Sequence, residues 1–117
     1  MQSLTIIKIG GNVIDSPDAL ARFLTAFAQL PGNKILVHGG GKIATQVAEK
    51  LGVPTTMVDG RRITDQPMLD VVTMVYGGLV NKQIVAKLQA LDVNAIGMTG
   101  ADAGTVLAHK RPVGEID

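Results

Sequence analysis

The 117-residue sequence predicts an α/β fold: a three-layer αβα arrangement around a mainly parallel sheet, apparently truncated. Three observations carry this expectation. Short β-branched runs at 4–9 (LTIIKI) and 34–38 (KILVH) each stop at a glycine cluster, Gly10-Gly11 and Gly39-Gly40-Gly41. Helical patterns lie between and after these runs without strand-to-strand turn signals, which calls for parallel strands with covering helices. The chain then stops at a hairpin arm, residues 105–109, with no capping element behind it.

The elements follow in order. After the first strand, Ser16-Pro17-Asp18 gives a helix start: a capping hydroxyl, proline in the first turn and an acid near the positive dipole end. Leu20, Phe23, Leu24, Phe27 and Leu30 recur at helical spacing until Pro31-Gly32-Asn33 ends the helix. Beyond the second strand, Ile43, Val47 and Leu51 line one face of the next helix, closed by Gly52 and Pro54. Right-handed crossovers place helices on both sheet faces if the strand order reverses. Residues 56–65 read as a short irregular strand or hairpin. A long helix follows at about 67–91, with Met68, Val72, Val75, Leu79 and Leu88 as its stripe. Gly77-Gly78 interrupts it, marking either a kink or a close approach of another backbone. Residues 94–98 (NAIGM) are expected to form a further strand, and the partner of the 105–109 arm falls past Arg111.

Composition narrows the function. Hydrophobic residues make up 46% and charged residues 18%, a globular balance, and the net charge of +1 offers no basic surplus for nucleic acid or a membrane surface. Cysteine is absent, which excludes disulfides, thiolate metal sites and thiol nucleophiles. Two histidines, His38 and His109, are too few for a histidine metal cluster, and 3% aromatics leave no base-stacking platform. The N-terminus lacks a signal-peptide pattern, and the apolar stretch 71–80 falls short of the ~18 residues of a membrane span, so a cytoplasmic location is expected.

The chemistry is sought at the glycines. Two glycine loops leaving the carboxyl edge of a parallel sheet present backbone N–H groups to an anion with no side chain in the way. The triple glycine also opens a helix, whose N-terminus favours negative charge. Lys8, one residue before Gly10, is either a strand-end lysine reaching into water or a cation poised over a transferring phosphoryl group; its local sequence leaves both open. Arg61-Arg62 follows Asp59-Gly60; taken alone the pair reads as a solvated basic pair, while an arginine there can also grip a carboxylate through two parallel hydrogen bonds. His38 is expected to be a packed strand-end residue. Asn12, Asp15, Asp59, Asp65 and Asp102 are expected to serve turns and caps. Gly39, Gly41 and Ala44 fit a dinucleotide fingerprint with Asp59 twenty residues on, but that loop normally follows the first strand, and the fit leaves Lys8 and Gly10-Gly11 unexplained. The P-loop pattern fails, because Lys42 is followed by Ile43.

Taken together, Lys8-Ile9-Gly10-Gly11-Asn12, Val37-His38-Gly39-Gly40-Gly41, Gly60-Arg61-Arg62-Ile63-Thr64-Asp65 and Val80-Asn81-Lys82 resemble the amino acid kinase family over nearly the whole chain. Within that family the resemblance is to the members of arginine biosynthesis that move the γ-phosphoryl of ATP to the side-chain carboxylate of N-acetyl-L-glutamate. It implies Lys8 as the catalytic cation, Gly10 and Gly11 on the phosphates, Gly40 and Gly41 against the substrate and the transferring group, and Arg62 on the substrate α-carboxylate. It further implies ATP with magnesium as co-substrate, no metal site in the protein itself, and a homodimer or higher homo-oligomer through the long helix near Gly77-Gly78. Such kinases are roughly twice as long. Residues 1–117 then correspond to the N-terminal, acyl-amino-acid-binding part, with most of the ATP-binding half absent. A non-catalytic anion-binding module is the alternative from another class, and a dinucleotide-binding domain the third.

Overall fold

The computed structural model describes residues 3–110 and 112. Strands β1 (Leu4–Ile9) and β2 (Asn33–His38) pair in parallel, with Leu4 opposite Asn33 and Ile9 opposite His38. The two strands end level, so both glycine clusters leave the same edge of the sheet. The α/β class and the parallel pairing are as expected.

The connection between them holds a one-turn helix that the sequence pattern did not reveal, α1 (Gly11–Ile14), and then α2 (Pro17–Gln29). The Ser16 hydroxyl accepts from the Ala19 N–H at 3.2 Å, which caps α2 as its sequence predicts. Leu20, Leu24 and Phe27 are buried. The far end of α2 is closed by a residue of the next strand. Lys34 Nζ donates to the carbonyls of Phe27, Ala28 and Leu30 at 2.8, 3.1 and 2.7 Å and lies 5.1 Å from the Phe27 ring centroid. A cation at a helix C-terminus meets both the orphan carbonyls and the negative end of the dipole.

Helix α3 (Ile43–Lys50) packs a different face from the one expected. Ala44 and Ala48 are its buried residues, Ile43 and Val47 are only partly buried, and Leu51 is 58% exposed. Small side chains let α3 lie close against the rod formed by the next helices, while Ile43 and Val47 pack against the edge of the core and Leu51 turns outward. Strands β3 (Thr56–Val58) and β4 (Arg61–Ile63) form an antiparallel hairpin. Its turn residues, Asp59 and Gly60, have φ of 50° and 75°, the conformation that a two-residue Asp-Gly hairpin turn requires.

The expected long helix is a continuous rod of three parts: α4 (Gln66–Val72), a π-helical segment (Thr73–Val80) and α5 (Asn81–Ala90). The Asp65 carboxylate caps it by accepting from the Met68 N–H at 3.0 Å. Gly77 and Gly78 lie within the wider π register. A methyl placed on Gly77 would come within 3.0 Å of Thr99 Cγ2, whereas one on Gly78 would meet nothing within 4 Å. The approach to Gly77 therefore comes from the Thr99 side chain of this same chain beyond α5, and Gly78 faces open space.

Residues 94–98 do not form the expected strand. Their carbonyls are taken by side chains of α5 instead of a neighbouring strand: Gln89 Nε2 donates to Ala95 O at 3.2 Å, Lys82 Nζ to Gly97 O at 3.1 Å and Asn81 Nδ2 to Met98 O at 3.5 Å. A methyl on Gly97 would overlap Asn81 Oδ1, so the segment seats directly on the helix. Residues 105–109 likewise form no strand, and Arg111, past which their partner was expected, lies outside the described residues. The preceding turn, Asp102–Gly104, is a short 3-10 helix. Asp102 takes the Thr99 N–H at 2.6 Å and the Thr99 hydroxyl at 3.0 Å, and these bonds, the backbone one foremost, hold its carboxyl below the ordinary value of 3.8. That is the turn role expected of it.

The core joins Ile9, Leu24, Phe27, Met68, Val71, Val75, Ile84 and Leu88, with Ile7 and Leu36 packed against it from one face of the sheet. On the other face Leu4, Ile6, Ile35 and Val37 are between 43% and 62% exposed. A covering layer on that face is not among the described residues.

The Lys34 cap gives a direct test of this packing. Lys34→Met keeps the aliphatic stem and removes three charge-assisted hydrogen bonds, so urea unfolding should show a loss of about 1–3 kcal/mol. A loss below the scatter of the measurement would mean that the α2 carbonyls are satisfied as well by water.

Candidate active site

The two glycine loops lie side by side at the carboxyl edge of β1 and β2, bridged by Asp15. Gly10 is the N-cap of α1, extended at φ −95° and ψ −177°, and its carbonyl accepts the N–H groups of Val13 and Ile14, both at 3.2 Å. Gly11 starts that turn. A methyl on Gly11 would lie 3.4 Å from Gly41 Cα, so the two loops stand within a methyl's reach of each other. Gly41 has φ of +57°, and a methyl there would overlap the Asp15 carboxylate. Asp15, at the end of α1, accepts the Lys42 N–H at 2.9 Å. Glycine is required at Gly41 for two reasons, its left-handed backbone and the carboxylate beside it.

The opposite side of the second loop is formed by Tyr76, from the π-helical segment. Gly40 is buried, and a methyl on it would overlap the Tyr76 ring at Cε1 and Cδ1. The Tyr76 hydroxyl accepts from Arg62 Nη1 at 3.2 Å, and Arg62 Nη2 donates to Thr45 Oγ1 at 2.9 Å. Arg62 Nε is buried without an acceptor. An unpaired buried donor costs about 1–3 kcal/mol. It also makes this guanidinium a group with a donor still to place.

His38 anchors the root of the same loop. Asn81 Nδ2 meets His38 Nε2 at 3.0 Å, His38 Nδ1 meets the Gly39 carbonyl at 2.8 Å, and Asn81 Oδ1 accepts from Lys82 Nζ at 3.0 Å. This set of bonds suits a neutral imidazole carrying its proton on Nδ1. Asn81 is only 8% exposed. His38 is thus the packed strand-end residue that the sequence suggests, and its partner is an amide, not an acid.

Of the residues singled out from the sequence, Gly11 lies near Gly41, Gly40 lies against the Tyr76 ring, and Arg62 bonds to the Tyr76 hydroxyl. Lys8 stands on β1 opposite Val37, exposed, one residue before Gly10. Asp59 and Asp65 serve a turn and a cap, as expected. Sequence reasoning missed Asp15, Thr45, Tyr76 and the structural partner of His38. Asp15 looked like a turn residue, and nothing in the chain order marks a contact with residue 42. A lone tyrosine in an apolar helix was a sign worth following for Tyr76, because a buried tyrosine hydroxyl usually seeks a partner.

Gly40, Gly41 and the Arg62 guanidinium are thus linked through Tyr76 and Asp15 near the carboxyl edge of the sheet, and Lys8 stands exposed on β1 beside the first loop. Among the described residues no group of three histidine, aspartate or glutamate side chains converges as a metal site would need, and no helix is long and apolar enough to cross a membrane.

Known proteins resemble this chain over most of its length. The acetylglutamate kinase of Cytophaga hutchinsonii is 64% identical over 113 residues, 97% of this chain and 43% of that protein. The acetylglutamate kinase of Parabacteroides distasonis is 56% identical over 117 residues, all of this chain and 46% of that protein. The crystal structure of smu.665 from Streptococcus mutans matches with a TM-score of 0.57 at 27% identity, over 80% of this chain and 38% of that one. The chain therefore spans less than half the length of the curated relatives it matches. The model of the amino acid kinase family matches residues 3–117. With the family model spanning nearly all of it, the chain belongs to the amino acid kinase family.

Proposed function

We propose that residues 1–117 supply the acyl-amino-acid-binding part of a kinase that moves the γ-phosphoryl of ATP to the side-chain carboxylate of N-acetyl-L-glutamate. The observation that carries this is the 64% identity to an acetylglutamate kinase across the whole glycine-loop and arginine arrangement. The reaction makes an acyl phosphate, a step suited to arginine biosynthesis. ATP as the donor goes with a cytoplasmic enzyme.

Each group has a role that follows from its chemistry. Phosphoryl transfer asks for positioning and charge neutralisation more than for covalent help. Lys8, exposed beside the first glycine loop, supplies a mobile cation to the transferring phosphoryl. Gly10 and Gly11 bring N–H groups to the phosphates without side chains between. Gly40 and Gly41 lie against the substrate and the group in transit. Arg62, with Nε still lacking an acceptor, takes the α-carboxylate of the substrate. The closeness of Gly11 and Gly41, a methyl's reach apart, supports assigning neighbouring positions to the phosphates and the substrate. Magnesium would enter with the nucleotide, whose phosphates supply the acceptors that the described residues do not. The remaining contacts to adenine and ribose are assigned to the other half of the protein.

A homodimer through the long rod belongs to the same proposal. Leu69, Met74 and Leu79 stand on that rod at 46%, 52% and 43% exposure, and Gly78 is open. An exposed apolar strip beside an open glycine is a surface where a second rod can approach closely.

Two kinetic variants of the intact protein separate the assigned roles. Arg62→Lys keeps the charge but loses the planar fork, so KM for N-acetyl-L-glutamate should rise more than kcat falls. Lys8→Met should do the reverse, lowering kcat about 100-fold or more, because the charge it meets grows in the transition state. Near-normal turnover in Lys8→Met would leave Lys8 as a solvated strand-end residue and favour a non-catalytic anion-binding module.

The rod contact is checked by sedimentation. Gly78→Leu should shift the intact protein toward monomer. A variant that stays dimeric with unchanged stability would restrict the glycine pair to the wider helical register.

A further inference from the structure

We propose that Tyr76 is a positioning residue that joins the substrate-carboxylate arginine to the second glycine loop and makes them one unit. This rests on the role given to Arg62 above. Three observations carry it. The Tyr76 hydroxyl accepts from Arg62 Nη1 at 3.2 Å. The Tyr76 ring occupies the space that a Cβ on Gly40 would take. The remaining guanidinium bond, Nη2 to Thr45 at 2.9 Å, leaves Nε as the donor without an acceptor.

The chemistry follows from these contacts. A guanidinium is a rigid planar fork, so fixing both Nη atoms fixes where Nε–H points. Tyr76 and Thr45 come from different elements, the π-helical segment and α3, and they fix the plane from two sides. Tyr76 then uses its other end on the loop. With its ring against Gly40, a shift of the loop must push the ring, and a shift of the ring must move the hydroxyl that Arg62 holds. Placing Tyr76 in a π-helical turn is consistent with such a role, because the wider register re-aims a side chain that a regular α-helix would direct elsewhere. Tyr76 does not touch the reacting atoms in this account; it acts through Arg62 and Gly40.

The test is a double-mutant cycle in the intact protein. Tyr76→Phe keeps the ring and removes the hydroxyl. KM for N-acetyl-L-glutamate should rise about three- to tenfold, with KM for ATP unchanged and kcat moved less than KM. In an Arg62→Lys background the same substitution should add almost nothing, since the hydroxyl acts only through the guanidinium. Effects that multiply, or a Tyr76→Phe enzyme with an unaltered KM, overturn the proposal. An Arg62→Lys enzyme with unaltered KM overturns the carboxylate role of Arg62 itself, and this proposal with it. The loop half is read separately by thermal unfolding without substrate. Gly40→Ala should lower Tm clearly in the native background and much less alongside Tyr76→Ala. Equal losses in both backgrounds would show that the ring does not seat the loop.

Discussion

The contact on which this site depends is the one between its two glycine loops. Gly11 and Gly41 come within a methyl's reach of each other, and the Asp15 carboxylate ties the two loops by accepting the Lys42 N–H at 2.9 Å. Parallel strands of equal length create the condition, because Ile9 and His38 sit opposite each other and release both loops at the same level. A one-residue slip in that register would turn every side chain of one strand to the other face and draw the loops apart.

The second loop is the more heavily held. Its root is fixed by His38 and Asn81, its middle by the Tyr76 ring and its end by Asp15. Three elements distant in the chain thus converge on three consecutive glycines. A surface that must bind a transferring group has to keep its donors in place beforehand, since ordering them at the moment of reaction would cost part of the binding energy. The first loop is tied mainly by its own short helix, and Lys8 beside it is exposed. That asymmetry fits a division in which one loop defines the substrate and the other follows the nucleotide.

Much of this was legible in the sequence. The strands, the cap of α2, the Asp-Gly turn and the glycine loops follow from local rules, because each depends on neighbours within a few residues. The failures share a cause. Residues 94–98 have strand composition, yet Gln89, Lys82 and Asn81 take their carbonyls, and a side chain on α5 competing for a backbone group leaves no mark in a hydrophobic pattern. The buried face of α3 was misread because Ala44 and Ala48 weigh less in such a pattern than Ile43 and Leu51, although close helix packing favours the small residues. In the site, glycines and charges were visible as types, but Asp15 and Tyr76 gain their roles from contacts 27 and 14 residues away along the chain. Pairings of that range are set by tertiary packing.

The most direct measurement is of the four glycine amides. In the intact, isotope-labelled protein, the backbone N–H resonances of Gly10, Gly11, Gly40 and Gly41 should be followed during titration with N-acetyl-L-glutamate and a non-hydrolysable ATP analogue. If the two loops form one anion-binding surface, all four should shift when both ligands are present, and Gly40 and Gly41 should respond to the acyl amino acid alone. Movement confined to one loop, with the other silent under saturating ligands, would contradict the shared surface on which the whole account rests.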